Sequence, residues 1–256
     1  MAKPITLVIP LVPKHDQYLP DLLSGLGADR VLIDKVVLAR SELPSWKRRA
    51  FSRWADDLAQ KIGVRVETSS TSKRCTAGIN RNRGWQISNS MYTAFVDADD
   101  SYSASRLHLL LNVAEEFNSN LVLHDYWLPH ELQESAAPDI WGMDEVVQDD
   151  VLLEATFPVG RDRHSEGRNP GDTNINVPPM TREQRVAHGH TLVRTDIYPA
   201  IRFGPIYPGE DGQFCRDVLW FLGRVSYVPA RLAVYNYRRS AGTSVLNRIR
   251  KQLGRH

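Results

Sequence analysis

Residues 5–26, ITLVIPLVPKHDQYLPDLLSGL, join a short β-branched run to a leucine pattern of helical spacing. The run at 5–9 is apolar and is closed by Pro10, which is typical of a buried strand that ends at a loop. Leucines then recur as they do along one face of a helix, at positions 19, 22, 23 and 26. The stretch therefore predicts a strand followed by a helix, which is the opening unit of an α/β domain.

The alternation of strand and helix patterns continues along the chain. Apolar or alternating runs predict strands at 31–39, 64–69, 91–96, 121–127 and 190–194, with one or two more over 225–238. Helical spacing predicts helices at 46–62, 77–88, 107–117 and 212–223. We therefore expect a single α/β domain with a Rossmann-like, mostly parallel sheet flanked by helices, whose ligands bind beyond the carboxyl ends of the strands.

The composition argues against several classes of protein. The chain has 256 residues, 42% of them hydrophobic, with 32 basic and 30 acidic residues, so a packed core is feasible and a strongly basic nucleic-acid binder is not expected. Cys75 and Cys215 are too few for a disulfide framework, which favours free thiols in a reducing, cytoplasmic setting. The opening residues resemble a strand rather than a signal peptide, and no run has the length of a membrane span.

Two segments depart from the α/β pattern. Residues 126–187 are polar and bear prolines and glycines, and only 151–157 resemble a regular element. This segment is either a variable insertion that faces the acceptor or a loop without a role. Residues 246–256 form a basic tail, which could contact an anionic membrane surface, although a solvated basic end has the same composition.

Three carboxylates crowd into the four residues Asp97–Asp100, directly after the predicted strand at 91–96. Like charges this close repel one another unless a cation, a basic partner or water relieves them. An Asp-x-Asp pair at a strand end can share Mg²⁺ or Mn²⁺, which keeps open positions for phosphate oxygens. The alternative is a solvated acidic turn that caps a helix starting near Ser103. An EF-hand loop is excluded, because Tyr102 stands where that loop needs glycine.

A second acidic motif, GEDGQFCRD at 209–217, precedes the last predicted helix. Glu210 and Asp211 lie where the helix dipole favours negative charge, so they could be a simple cap. They could also include a general base that takes a proton from a reacting hydroxyl. The sequence leaves both interpretations open.

Two basic segments could bind phosphate. The segment AGINRNRGW at 77–85 offers Arg81 to a phosphate and a glycine for close backbone approach, or it is an ordinary helix with exposed arginines. The segment YNYRRSAGTS at 235–244 offers Arg238, or it is an edge strand followed by a turn.

Other ligand motifs are weak or absent from the sequence. His188 and His190 have the alternate spacing of a strand, but no third metal ligand stands beside them in the sequence, so we expect a structural or outer role. The chain contains no glycine-rich phosphate loop, no dinucleotide-binding glycine motif and no nucleophile elbow. These absences argue against P-loop nucleotidases, nicotinamide enzymes and serine hydrolases.

In this order the motifs resemble those of the GT-A glycosyltransferases of family 2. The opening strand, proline-ended loop and first helix resemble theirs, AGINRNRG resembles their A-R-N-x-G segment, and TAFVDADD resembles their strand-borne D-x-D. GED followed by Arg216 resembles their late E-D element, and YNYRRSAGTS their terminal Y-R-x-H-x-x-S stretch. The resemblance covers 5–125 and 188–245. It implies a GT-A domain over 1–245. In that domain residues 1–125 would bind the nucleotide-sugar, and residues 188–245 would bind the acceptor and carry the catalytic base.

The resemblance implies an enzyme that moves a sugar, with inversion, from a nucleotide-diphosphate donor to a hydroxyl of a glycan or glycolipid, with a UDP-sugar as the first expectation. Asp97 and Asp99 would hold Mn²⁺ or Mg²⁺ on the diphosphate. Asp211 would take the proton from the acceptor hydroxyl, and Glu210 would orient that base or the acceptor. The implied donor-binding set is Pro10, Arg40, Arg81, Asn82, Gly84, Asp97, Ala98 and Arg238, with Asp100, His190 and Ser240 as further candidates.

The chain departs from the family pattern in two places. Arg40 and Ser41 stand where the family usually has acidic residues that contact base and ribose, which leaves the nucleotide open. Arg239 and Ser240 replace the histidine that often follows the late Y-R. Two alternative functions therefore stay in view: a sugar nucleotidyltransferase, which would need a glycine-rich basic loop after the first strand, and a catalytically silent nucleotide- or carbohydrate-binding module with the same fold.

Overall fold

The computed structural model describes residues 3–128, 157–159, 187, 189–205 and 209–236. Within these residues the strands are β1 Ile5–Leu11, β2 Ile33–Arg40, β3 Arg65–Ser70, β4 Tyr92–Phe95, β5 Ser101–Tyr102, β6 Leu121–Trp127, β7 Phe157–Val159, β8 Leu192–Arg194 and β9 Val225–Val234. The α-helices are α1 Leu19–Ser24, α2 Arg48–Ile62, α3 Ala77–Trp85, α4 Arg106–Glu116 and α5 Glu210–Phe221. None of these helices has the length and hydrophobicity needed to cross a membrane.

All nine strands belong to one mixed sheet with the order β3-β2-β1-β4-β8-β6-β9-β5, and β7 adds to β9. The parallel ladders join β1 to β2 and β4, β2 to β3, and β6 to β9, over four to seven residue pairs each. The antiparallel ladders are shorter, with two or three pairs. The predicted single-domain α/β fold is confirmed, and the sheet is mixed because β5, β7 and β8 make antiparallel pairings.

Helices cover both faces of the sheet because the side chains of its central strand alternate in direction. Leu7 and Ile9 of β1 belong to one buried cluster, which α1, α2 and α4 complete, whereas Val8 between them belongs to the other. The second cluster contains Trp85 of α3 and Phe214 of α5. The two faces are therefore separate apolar layers on a shared sheet.

Several boundaries differ from the sequence prediction. The strand expected from residue 31 begins at Ile33, because Gly27–Leu32 form a 3₁₀ helix. The helix expected near Ser103 begins at Arg106, and the short strand β5 in between was not predicted; it pairs with β9. Of the element suggested at 151–157, only the last residue is described, as the start of β7. The rest of that element, most of 126–187 and the tail at 246–256 lie outside the described residues.

Asp29, in the 3₁₀ helix before β2, caps helix α4 from outside. Its carboxylate accepts hydrogen bonds from the backbone N–H groups of Leu107 at 2.7 Å and His108 at 3.0 Å, and it contacts His108 Nδ1 at 2.8 Å. These N–H groups lie in the first turn of the helix, where they have no partner within the helix. The cap ties α4 to the loop that follows α1.

We expect Asp29→Ala to lower the free energy of unfolding by about 0.5–2 kcal/mol, because two backbone donors lose their acceptor. Asp29→Asn keeps a carboxamide oxygen in place and should lose less. Urea denaturation of the two variants measures this difference. Equal stability of Asp29→Ala and the wild type would contradict the capping role.

Candidate functional site

The loop between β4 and β5, residues 96–100, is the acidic loop, and it meets His190 at the carboxyl edge of the sheet. Strand β4 ends at Phe95 and leads directly into the loop. Strand β8 runs antiparallel to β4, with Ala94 opposite Leu192, and the N–H of Phe95 donates to the carbonyl of Thr191 at 2.9 Å. The start of β8 therefore lies beside the end of β4, and this pairing brings His190 to the acidic loop.

Asp97, Asp100 and His190 form a cluster whose ligand atoms lie within 4.8 Å of one another. His190 Nε2 is 3.0 Å from Asp100 Oδ2 and 3.5 Å from Asp97 Oδ2. The second oxygen of each carboxylate has another partner: Asp97 Oδ1 accepts from Arg81 Nη2 at 2.7 Å, and Asp100 Oδ1 accepts from the N–H of Asn236 at 2.7 Å. Each carboxylate thus presents one oxygen to the histidine.

Charge and burial act against each other in this cluster. Burial raises the pKa of the Asp100 carboxyl. Burial acts on Asp97 in the same direction, but the Arg81 guanidinium and His190 outweigh it and hold the pKa of Asp97 well below its usual range. For His190, burial alone would lower the pKa, whereas hydrogen bonds and charge interactions with Asp100 and Asp97 raise it to about 9. The three side chains therefore depend on one another for their charge states.

The cluster has the composition of a divalent cation site. It offers two carboxylate oxygens and one imidazole nitrogen, a set that suits cations such as Mn²⁺ and leaves positions for other ligands. Asp100 Oδ2 is shielded from solvent and has the His190 ring as its neighbour, whereas His190 Nδ1 is shielded and has no hydrogen-bond partner within the described residues. Two enclosed carboxylates are costly unless positive charge balances them, so a cation bound between Asp97 and Asp100 would offset part of that cost. The residues present therefore fit a metal ion.

Asp99, the expected partner of Asp97 in the D-x-D motif, is not part of this cluster. Its Oδ2 lies 3.7 Å from Nε2 of His15, which is in the 3₁₀ helix Pro13–Tyr18 after β1. Asp99 and Asp100 are only 7% and 5% exposed, so the alternative of a solvated acidic turn is wrong. The turn directs neighbouring carboxylates to different sides, and only Asp100 turns with Asp97 towards His190.

Arg81, on α3, links the acidic loop to the start of α5. Its guanidinium is buried, bonds Asp97 through Nη2 and lies 3.8 Å from Glu210 Oε1 through Nη1. It also lies over the Phe203 ring, 5.3 Å from the centroid. Burial would lower the pKa of Arg81, but the charges of Asp97, Asp211 and Glu210 raise it. Arg81 is therefore a buried cation that neutralises part of an acidic site.

Asp211 lies across a small space from Asp97. A Cβ atom on Gly189 would be 3.4 Å from Asp97 Oδ2, 3.5 Å from Asp211 Oδ2 and 2.9 Å from Arg81 Nη2. The two carboxylates therefore border the same volume, which stays open only because residue 189 has no side chain. Asp211 Oδ1 accepts from the N–H of Gly212 at 2.8 Å, which orients the carboxylate at the start of α5. The structure thus brings together two acids that are far apart in the sequence.

Glu210 is more enclosed than Asp211. It is buried, and burial raises the pKa of its carboxyl. A Cβ atom on Gly78 of α3 would lie 2.8 Å from Glu210 Cγ, so the side chain packs directly on that helix. This packing holds Glu210 beside Arg81 at the edge of the site.

Arg40 and Asn82 already have protein partners. Arg40 donates to both oxygens of Asp16, from Nε at 2.9 Å and from Nη2 at 3.0 Å. Asn82 donates to the carbonyl of Phe203 at 2.8 Å and accepts from its N–H at 2.9 Å. Arg40 thereby fixes the loop after β1, and Asn82 fixes the segment that carries the Phe203 ring. These hydrogen bonds explain the positions of both side chains, so neither requires a bound ligand as a partner.

Gly84 is explained by helix packing. A Cβ atom at this position would lie 2.4 Å from Val8 Cγ1, so α3 packs on β1 too closely for a side chain. Pro10 is buried within β1, and Ala98 is buried in the acidic loop. The remaining candidates, Arg238 and Ser240, lie outside the described residues, as does His188.

Sequence reasoning missed two residues at this edge of the sheet. Both ring nitrogens of His15 are shielded from solvent and have no hydrogen-bond partner among the described residues. Asn80 is buried and donates to the carbonyl of Leu11 at 3.2 Å and to Ser41 Oγ at 3.1 Å, which ties the ends of β1 and β2 together. The position of His15 after the first predicted strand was a signal in the sequence, whereas Asn80 lies within a predicted helix and only the fold brings it to the strand ends.

No model of a known protein family matches the chain, and no curated protein matches it either. Solved structures do match. S. aureus TarS 1–349 aligns with a TM-score of 0.58 at 12% identity, covering 92% of this chain and 61% of that one. The same protein in complex with UDP-GlcNAc aligns with a TM-score of 0.59 at 12% identity, covering 91% of this chain and 58% of that one.

A mycobacterial protein also aligns, with a TM-score of 0.51 at 16% identity, covering 93% of this chain and 70% of that one. At such low identities the alignments show a shared fold and nothing finer. The present chain spans about three fifths of TarS 1–349. The shared fold extends over nearly the whole of the present chain.

Proposed function

We propose that the protein is a metal-dependent, inverting glycosyltransferase that uses a nucleotide-sugar donor. The observation that carries the proposal is the meeting of Asp97, Asp100 and His190 with Arg81 and Asp211 at the carboxyl edge of a GT-A-type sheet. Ligands of such sheets bind at this edge. The fold is shared with TarS, which has been crystallised with UDP and with UDP-GlcNAc. A UDP-sugar is therefore the donor to test first.

In this proposal Asp97, Asp100 and His190 hold the cation, Mn²⁺ or Mg²⁺, and Asp99 with His15 lines the neighbouring part of the donor site. When bound, the cation would stabilise the negative charge that develops on the departing diphosphate. Arg81 holds Asp97 in place and keeps the acidic site from repelling an anionic donor.

Asp211 is the proposed general base. It borders the same space as Asp97 and is less enclosed than Glu210, so an acceptor hydroxyl placed there can give it a proton. The acceptor oxygen then attacks the anomeric carbon from the side opposite the diphosphate. The bond from that carbon to the diphosphate oxygen breaks with its electron pair, and the configuration inverts. Glu210, held by Arg81, would orient the acceptor.

The remaining parts of the proposal follow the sequence resemblance. The acceptor is a glycan or glycolipid hydroxyl bound by the half at 188–245, the donor is bound by the half at 1–125, and Arg238 contacts the diphosphate. The protein would act in the cytoplasm, with the basic tail as a contact for an anionic membrane. Of the alternatives, a sugar nucleotidyltransferase is disfavoured, because the loop after β1 is a 3₁₀ helix without glycine at Pro13–Tyr18.

Thermal unfolding tests the donor and cation together. UDP, GDP, CDP, dTDP and UDP-GlcNAc are each added with and without Mn²⁺, because a ligand that binds only the folded protein raises the midpoint. We expect a Mn²⁺-dependent rise with one nucleotide, which Asp100→Asn and Asp97→Asn remove. Asp57→Asn, an exposed change on α2, is the matched control and should keep the full rise.

The outcomes separate the candidate functions. A Mn²⁺-dependent rise with acceptor-dependent release of the nucleotide supports the glycosyltransferase. Binding of the nucleotide without turnover on a broad acceptor panel favours the silent binding module. Absence of any rise with all five nucleotides contradicts a nucleotide-sugar enzyme.

A further inference from the structure

Arg106, the first residue of α4, is a buried cation that forms no ion pair with a carboxylate in the described part of the chain. It is 2% exposed, and burial lowers the pKa of its guanidinium to about 10. The three described hydrogen bonds of the guanidinium go to neutral acceptors: Nε donates to His124 Nε2 at 3.0 Å, and Nη2 donates to the carbonyls of His190 at 2.8 Å and Phe95 at 3.3 Å. Burying a charge in this way is costly, so its contacts need an explanation.

Those contacts join the two chain segments that supply the cation cluster. Phe95 is the last residue of β4 and immediately precedes the acidic loop, and His190 is itself a member of the cluster. One guanidinium therefore bonds the backbone of both segments. The geometry of His124 supports this arrangement, because its Nδ1 contacts the carbonyl of Asp125 at 2.7 Å. A proton on Nδ1 leaves Nε2 as the acceptor that Arg106 requires.

Tyr102 fixes the same cluster from beneath the acidic loop. Its hydroxyl accepts from the N–H of Asp97 at 2.7 Å and donates to the carbonyl of Asp97 at 3.1 Å. The ring lies edge-on to the His190 ring at 5.1 Å, and the Arg106 guanidinium lies 5.0 Å from its centroid. Tyr102 and Arg106 thus stack on each other while holding Asp97 and His190.

Packing alone does not hold this part of the loop. A cavity of about 280 Å³ borders it on the side of α1 and α4, and Ala98, Tyr102 and Arg106 are among the lining residues. A loop next to open space can shift without meeting other atoms. Arg81 and the N–H of Asn236 hold the two carboxylates, whereas hydrogen bonds of Arg106 and Tyr102 hold the backbone from which Asp97 and His190 project.

We propose that Arg106 and Tyr102 are positioning residues of the cation site, which hold Asp97 and His190 at the spacing that a divalent cation needs before it binds. The inference rests on the cation site of the proposed function. Groups that orient metal ligands commonly change metal affinity about 10- to 100-fold when they are removed. Neither residue would touch the metal.

The test measures the affinity of the purified protein for Mn²⁺ alone, without nucleotide, from the electron paramagnetic resonance signal of free Mn²⁺. The variants are Tyr102→Phe, Arg106→Met and Arg106→Lys. Leu58→Ala, in the buried face of α2, is a control that destabilises the core away from the site. The unfolding free energy of every variant is measured in parallel.

We expect Tyr102→Phe and Arg106→Met to weaken Mn²⁺ binding about 10- to 100-fold. Arg106→Lys keeps a donor near the His190 carbonyl and should recover part of the affinity, and Leu58→Ala should bind as the wild type does. Tyr102→Phe removes a single hydroxyl, so it decides the question if the Arg106 variants do not fold. The nitrogen coupling of His190 in the spectrum of bound Mn²⁺ should weaken with the affinity.

Three results would overturn parts of this picture in different ways. Unchanged Mn²⁺ affinity in folded Tyr102→Phe and Arg106→Met removes the positioning role and leaves the proposed function standing. If Tyr102→Phe and Arg106→Met lose Mn²⁺ affinity but the wild type binds none of the five nucleotides, the positioning role is supported and the proposed function is contradicted. A wild-type protein that binds no Mn²⁺ overturns both.

Discussion

Replacement of Asp211 with asparagine should lower the rate of sugar transfer by about 10²- to 10⁴-fold, the usual contribution of a positioned general base. Asparagine has nearly the same shape as aspartate and keeps the oxygen that accepts from the N–H of Gly212. It cannot take a proton from a hydroxyl at neutral pH. The measurement is the initial rate with the donor that raises the melting midpoint, using saturating Mn²⁺ and an acceptor panel.

Measuring the affinity for the nucleotide distinguishes the loss of a catalytic base from a general disturbance of the site. Because Asp211 is proposed to act on the acceptor, the affinity of Asp211→Asn for the nucleotide should match that of the wild type. Asp217→Asn is the matched control, since Asp217 lies on the same helix and its Oδ1 accepts from Gln213 Nε2 at 2.6 Å. Undiminished turnover in folded Asp211→Asn would move the base assignment elsewhere, first to Glu210.

Gly84→Ala should lower the free energy of unfolding by about 1–3 kcal/mol, the usual cost of overpacking a well-packed core. The new Cβ atom would lie 2.4 Å from Val8 Cγ1, well inside normal contact distance. Val8 is branched at Cβ, has few rotamers and is completely buried in a central strand, so it cannot turn aside. The helix has to move instead, and Arg81 moves with it.

A double-mutant cycle tests the cause of this loss. Val8→Ala removes the obstructing methyl groups and makes room for the new Cβ atom. The Gly84→Ala change should therefore cost less in the Val8→Ala background, with a coupling of about 0.5–3 kcal/mol, as expected for residues in contact. Additive losses would mean that the cost lies in the backbone of α3 and not in its contact with Val8.

The local parts of the fold were predictable because each depends on neighbouring residues. The run at 5–9 lies within β1, and the amphipathic pattern at 46–62 forms α2 after a short 3₁₀ turn at Ser45–Lys47. The antiparallel pairing of β8 with β4 was not predictable, because a three-residue strand carries no pattern that identifies its partner or direction. The hydrogen bonds that decide it join segments that are distant in the chain.

The residues of the candidate site also fall into two groups, those that local sequence identified and those that only the fold brought together. The acidic loop at the end of β4 and the Glu210–Asp211 pair at the start of α5 were identified by residue type and by position relative to an element. His190 was expected to have a structural or outer role, because the sequence placed no ligand beside it. In the fold its carboxylate partners, Asp97 and Asp100, come from the loop after β4. Arg40 and Asn82 were expected at the donor, but the fold gives each of them a protein partner.

The sequence by itself determined which residue types stand at the ends of strands and helices, since hydrophobic periodicity and turn residues act over a few positions. It therefore determined the α/β class and the presence of an acidic edge. Only the tertiary structure decided which side chains meet there: Asp100 and not Asp99 beside Asp97, His190 between them, and Arg106 behind them. The physical reason is that charges, hydrogen bonds and close contacts act through space, and the chain order carries no record of those distances until the sheet has formed.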